Sequence, residues 1–381
     1  MAFLFKRNPK TPAELVRAMN EQVTKLDSTS DKKKVQDEVT RYLTSVKNIL
    51  NGEETLNGNF SESQPDQIGQ LALEVYATDS LYLLIQNLSN IEFDSRKIVT
   101  LLFSSLLRRK IGTRSPTVDH LLSRPKALIC LMKGPENPET SINTGSMLRE
   151  VIKYEQVTRL LLNEPIFWKY FAYCEYGSFE TSTEAFMTLH DLLTTHKKVA
   201  SDFFNTHLNR FIENINKLIT STNYVTKRQS IKLLSQLILD KPNYNLMTTY
   251  VNSPHNLKLI MILLGDKSRN IQLESFDVFK IFIANPRKTK AITDILVKNR
   301  DRLLVFLKEF NTDKKDDDLF IIEKRFVIEQ IEELPKIIPA SVNNENDPQR
   351  SSNPNIAAQH VYSQTKGNLG SDSPGLQYRS D

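Results

Sequence analysis

The chain has 381 residues, long enough for a large core or an extended repeat array. Only 11 are Gly, and abundant Leu, Ile, Lys and Glu favour helix over sheet. The net charge of +5, from 50 basic against 45 acidic residues, does not by itself indicate nucleic acid.

At the start, Phe3, Leu4 and Phe5 are too short an apolar run for a signal peptide, and residues 1–11 read as an arm. Thr11, Pro12 and Glu14 then form a helix start: a capping Thr, Pro at the first helical position and Glu three residues after the cap. A second helix is predicted over Lys32–Leu50, with Val35, Val39, Leu43 and Val46 on one face. The polar stretch Asn51–Pro65 reads as a loop, and helices resume at Asp66.

From there the chain repeats. One marker is an apolar pair, polar residues and a turn before the next helix: LLSRP, LLNEP, FFNTH, YVNSP and LVKNR. Its copies begin at 121, 161, 203, 250 and 296, so they are 40, 42, 47 and 46 residues apart. A second is a helix core h-x-x-h-h beginning at Phe103, Leu148, Leu189, Leu234 and Phe279, with intervals of 45, 41, 45 and 45 residues. Periods of about 40–47 residues belong to armadillo and HEAT arrays. The predicted fold is an all-α, armadillo/HEAT-like helical-repeat solenoid, a curved rod, over residues 12–339.

The stretch Asn223–Pro242 is an amphipathic helix within that array. Ile231, Leu234, Leu237 and Ile238 make its apolar stripe, while Tyr224, Arg228, Lys232 and Ser235 stand on the other side. DKKDDD at Asp313–Asp318 is a charged break, followed by a last helix through Phe320, Ile321, Phe326, Val327, Ile331 and Leu334, which Pro335 and Pro339 close. Residues 340–381, rich in Ser, Asn, Pro and Gly, are expected to be disordered.

Chemistry is hard to place. No Gly-x-Gly-x-x-Gly, Walker loop, Gly-x-Ser-x-Gly or His-Glu-x-x-His occurs, so no catalytic, cofactor-binding or metal residue is predicted and an enzyme is not expected. Cys130 and Cys174 sit in apolar helical pattern without Cys-x-x-Cys and read as buried, reduced thiols. With no bilayer-spanning run, an intracellular protein without membrane insertion is expected. A base-per-repeat RNA code needs recognition residues at fixed repeat positions. The rows Met187, Lys232, Asp277 and Thr183, Arg228, Leu273 are neither uniformly basic nor aromatic, and Trp168 is the single Trp. A protein-binding solenoid is the remaining class. A general adaptor is one form of it, and an RNA-binding solenoid is the weaker alternative.

Four strings are more specific: RRKIGTRSPTVDHL (Arg108–Leu121), MLRE (Met147–Glu150), NYVTKRQSIKLL (Asn223–Leu234) and NLKLIMILLGDKSRNIQLESFDVFKIFIANP (Asn256–Pro286). They closely resemble the calcium-binding protein 39 family, the Mo-twenty-five or Hym-type scaffolds, from the N-terminus to about residue 338. The Ser/Asn-rich tail lies outside and resembles that of fungal members. The resemblance implies a noncatalytic scaffold, without cofactors, that binds a Ste20-type kinase or STRAD-like pseudokinase and holds its αC helix in the active position. Through that partner it acts on an LKB-type or NDR-family kinase in polarised growth, morphogenesis and cell separation. It implies a cytoplasmic location, with growth sites or the septum as places of concentration. Nothing in these residues supports the calcium of the family name. The resemblance further implies that Tyr224, Arg228 and Lys232 face the partner, and that a pocket for a Trp-Glu-Phe-type partner tail includes Lys241, Tyr244 and Met261. Lys241 stands where the animal pattern has Arg, which weakens bidentate carboxylate pairing. Tyr244 replaces Phe and adds a hydroxyl. Arg228→Ala with Met261→Ala is expected to abolish partner binding at a nearly unchanged melting temperature.

Overall fold

The computed structural model describes residues 9–28, 31–52, 64–311 and 317–336. Helix α1 (Pro12–Val23) begins where Thr11 and Pro12 put it, with Thr11 Oγ1 accepting from the Glu14 amide at 3.2 Å. Helix α2 (Lys32–Asn51) follows, capped by Asp31. Three units of three helices come next: α3 (Pro65–Ala77), α4 (Ser80–Gln86) and α5 (Phe93–Arg108); α6 (Pro116–Ser123), α7 (Lys126–Met132) and α8 (Ser141–Ile152); α9 (Glu155–Asn163), α10 (Lys169–Tyr176) and α11 (Phe179–Thr194). The chain continues with α12 (Lys197–Ile219) and α13 (Tyr224–Leu239), then α14 (Tyr244–Val251), α15 (Pro254–Leu264) and α16 (Arg269–Ala284), and ends in α17 (Lys290–Glu309) and α18 (Asp318–Glu332). Among the described residues there is no strand, only an isolated bridge between Ile111 and Arg114. The fold is an all-α, armadillo-like helical-repeat array.

The last helix of each unit packs on its counterpart in the next, so that α2, α5, α8, α11, α13, α16 and α18 form one ladder. The h-x-x-h-h marker is the inner seam of this ladder. Phe103, Leu106 and Leu107 in α5 are buried, and so are Leu148, Val151 and Ile152 in α8, and Leu189, Leu192 and Leu193 in α11. Leu234, Leu237 and Ile238 of α13, and Phe279, Phe282 and Ile283 of α16, are likewise no more than 1% exposed. A single unit leaves this face uncovered, so burial comes from stacking and the core runs continuously from unit to unit. Ion pairs follow the same logic. Arg96–Glu139, Arg159–Asp202, Lys197–Asp240 and Lys280–Glu323 each join residues 43 apart, one repeat to the next.

The turn marker is less regular than its spacing suggests. It ends α6, α9 and α14 as expected. In FFNTH the helix instead continues through a kink at His207, whose φ/ψ of −122°/24° is non-helical. In LVKNR there is no turn: α17 runs straight through it. The three copies that end their helices all carry Pro as their fifth residue, whereas LVKNR has Arg300 there, which has a backbone amide and keeps the helix intact. Arg300 is buried and donates to the carbonyls of Glu332 (2.8 Å) and Leu334 (3.0 Å), tying α17 to the end of α18.

Ser235 also departs from expectation. It is only 8% exposed, because α13 lies between α11 and α16 in the ladder and is covered on both flanks, not along one stripe. Ser230 and Leu233 are buried for the same reason. Cys174 is buried, but Cys130 is only half-buried. Most of the predicted Asn51–Pro65 loop, most of DKKDDD, the first eight residues of the arm and the 340–381 tail lie outside the described residues. Asp317 caps α18 by accepting from the Phe320 amide at 3.1 Å.

Candidate partner-binding face

Helix α13 is fixed at its first turn. Asn223 Oδ1 accepts from the amides of Val225 (2.9 Å) and Thr226 (3.3 Å). The buried Thr226 hydroxyl donates to the Cys174 carbonyl of α10 at 3.0 Å. This places Tyr224, Arg228 and Lys232 in one row along the helix, on its solvent-facing side. Tyr224 is 44% exposed, the Arg228 side chain is 43% exposed, and Lys232 is exposed.

The row is not simply basic, because α16 answers it. Asn270 Nδ2 donates to the Tyr224 hydroxyl at 3.1 Å, and this bond is the main cause lowering the phenol's pKa. Arg228 Nη2 lies 3.4 Å from Glu274 Oε1, and Lys227 Nζ lies 3.2 Å from Asp266 Oδ2. Asn270 and Glu274 each stand 46 residues beyond their partners. The 45-residue step used on the sequence falls one short and ends the Arg228 row at Leu273. The polar groups on α16 were therefore missed by one position. A search for acidic or amide residues one period, give or take one, beyond each cation would have found them.

On the other flank Lys232 is close enough to α11 to act on His190. The His190 imidazole bonds to Asp191 Oδ1 (3.2 Å) and Gln236 Oε1 (3.3 Å). The Asp191 bond is the leading cause raising its pKa, and the Lys232 charge pulls the other way. Lys232→Ala is therefore expected to raise the His190 pKa further, as read by NMR titration of the ring protons. An unchanged or lowered value would mean that Lys232 does not reach α11.

Beside this row lies a small apolar cavity of about 60 Å³ between α11 and α13, lined by Phe179, Phe186, Met187 and Val225 among others. Phe179 is 68% exposed and Met187 43%. The six predicted residues lie on four elements. Tyr224, Arg228 and Lys232 share α13. Lys241 lies in the 3-10 turn Lys241–Asn243, Tyr244 opens α14, and Met261 is on α15. Lys241 and Tyr244 are exposed, whereas Met261 is half-buried and packs on the core. No hydrogen bond, ion pair or ring contact among the described residues joins these three, and none of them lines the cavities described here. A larger cavity of about 690 Å³ lies elsewhere, between α12 and the α14–α15 pair. No group of three or more His, Cys, Asp or Glu among the described residues is placed to hold a metal ion, and no described helix is long and apolar enough to cross a membrane.

The α13 row, with Asn270 and Glu274 of α16 bonded to its Tyr224 and Arg228, is the candidate binding face of the array. The chain is 43% identical over 338 residues to calcium-binding protein 39-like of Mus musculus, covering 88% of this chain and 98% of the mouse protein. It is 41% identical over 367 residues to protein HYM1 of Saccharomyces cerevisiae, covering 93% of this chain and 90% of the yeast one. It is 39% identical over 334 residues to the Mo25-like protein of Schizosaccharomyces pombe, covering 88% and 100%. The family model described as Mo25-like matches residues 3–335, and the chain belongs to that family.

Proposed function

We propose that this protein is a noncatalytic scaffold that binds a Ste20-type kinase or STRAD-like pseudokinase and stabilises its active conformation. The observation that carries the proposal is the α13 row of Tyr224, Arg228 and Lys232, open to solvent, with Tyr224 and Arg228 bonded to Asn270 and Glu274 of α16. A kinase is active when its αC Glu pairs with the strand Lys that holds the ATP phosphates. A surface that contacts only the αC-in form shifts the population toward it. Moving a kinase from 1:99 to 99:1 needs a preference of about 5.5 kcal/mol, which a broad ladder face supplies and one exposed ion pair does not. The tail pocket at Lys241, Tyr244 and Met261 belongs to the same proposal. So do an onward action on an NDR-family or LKB-type kinase in polarised growth and cell separation, and a cytoplasmic location.

The test is the activity of a purified Ste20-type kinase domain from the same organism, with and without equimolar protein. Activation supports the proposal. Binding without activation would make this a passive adaptor, and affinity for RNA that falls steeply with salt would favour the RNA-binding alternative.

A further inference from the structure

Between α5 and α6 the chain makes a short hairpin that the proposed function does not use. Ile111 and Arg114 exchange both backbone hydrogen bonds, at 3.0 and 3.1 Å, around Gly112 and Thr113. Gly112 has φ +59°, the left-handed conformation that the first position of such a two-residue turn takes, and a side chain there is strained even though the space around it is open. The backbone bonds fix the register, so the hairpin presents its side chains in a set arrangement.

Those side chains are basic around one apolar tip. Residues 110–114 are all exposed, with Ile111 at 56%. Arg108, Arg109 and Lys110 take part in no ion pair among the described residues. Arg114 is matched by Asp119 at 2.9 Å but keeps 77% of its side chain exposed. Elsewhere on this surface cations are commonly paired, as Arg159 is with Glu155 and Asp202. The hairpin follows the C-terminal end of α5, whereas Tyr224 opens α13, three ladder positions on. It is a separate surface.

We propose that this hairpin docks an acidic segment of a protein partner, with carboxylates on the Arg108–Lys110 and Arg114 cations and an apolar side chain against Ile111. Three of the four cations are Arg, whose planar fork pairs with carboxylates in a directed, bidentate way. That favours a segment with placed carboxylates over the diffuse field of a bilayer, and a single Ile buries too little to anchor on lipid.

The test uses the full chain and two labelled peptides read by fluorescence anisotropy: an all-Glu/Asp nonamer, and the same peptide with a central Leu. Binding of the Leu peptide is expected to fall at least tenfold in Arg108→Glu/Lys110→Glu. It is expected to fall severalfold in Ile111→Ser, which leaves the all-acidic peptide nearly unaffected. Lys33→Glu/Lys34→Glu on α2 makes the same change in net charge and serves as the control, with circular dichroism confirming that each variant is folded. Equal losses in the control would reduce the effect to general charge and overturn the proposal. Tighter hairpin-dependent binding to phosphatidylserine vesicles or to an RNA oligonucleotide than to either peptide would overturn it as well.

Discussion

Arg228→Ala is expected to weaken partner binding about 30-fold, about 2 kcal/mol, while stability changes by less than about 1 kcal/mol. The stability half follows from geometry. The pair with Glu274 is long, 3.4 Å, and its cation is 43% exposed, so water screens it and can replace it. Because Glu274 also holds Arg228 in place, loss of binding in the single variant has two readings: a lost contact to the partner, or a lost orientation. The swap Arg228→Glu with Glu274→Arg separates them. It restores an ion pair in the same place but puts a carboxylate where the partner meets a cation. Binding should stay lost in the swap. Recovery there would mean that Arg228 acts only within the scaffold. Met261→Ala belongs in a different class, contrary to the sequence-based expectation that pairing it with Arg228→Ala leaves the melting temperature unchanged. Met261 is half-buried against the core, so its truncation should lower stability by about 1–2 kcal/mol. The two substitutions should be measured singly.

What the sequence made legible was whatever repeats. The h-x-x-h-h spacing located the ladder because every unit must bury the same face against its neighbour, and that demand recurs at one period. Thr11 and Pro12 marked a helix start because capping is local chemistry. Ser235 was misplaced because a helical wheel shows one apolar stripe, whereas α13 is covered by both α11 and α16. Arg300 was read as part of a turn marker, although its guanidinium secures α18 more than thirty residues on. Such contacts depend on how units sit side by side, and no single unit records them. The α13 row was visible as a row, but its neutralisation by Glu274 and its proximity to His190 were not. Lys241, Tyr244 and Met261 were tied together by resemblance alone, and no hydrogen bond, ion pair or ring contact among the described residues joins them.

Arg96→Met is expected to lower stability by about 3 kcal/mol or more, a cost out of proportion to one ion pair. Arg96 is 8% exposed and lies at the start of α5. Its Nε donates to the Ile91 carbonyl at 2.9 Å, one terminal nitrogen to Ser89 at 3.0 Å, and the other to the Glu139 carbonyl at 3.1 Å. Methionine matches much of its length but donates nothing, so the buried Ile91 carbonyl and the part-buried Ser89 and Glu139 carbonyls lose their donor, at about 1–3 kcal/mol for each that water cannot reach. The Glu139 carboxylate, 3.3 Å away and 70% exposed, adds little. Glu139→Gln should therefore cost less than about 1 kcal/mol, and Arg96→Lys should fall between the two because one ammonium cannot span three acceptors. Ile91 and Ser89 precede α5 while Glu139 precedes α8, so the same guanidinium couples one repeat to the next. Stability in a stacked array is a sum of unit and neighbour terms. Weakening this junction should let the α1–α5 end unfold at lower urea than the remainder, seen as early loss of amide-exchange protection confined to those helices. A single, uniformly shifted transition in which Glu139→Gln costs as much as Arg96→Met would refute the carbonyl account and leave the salt bridge as the relevant contact.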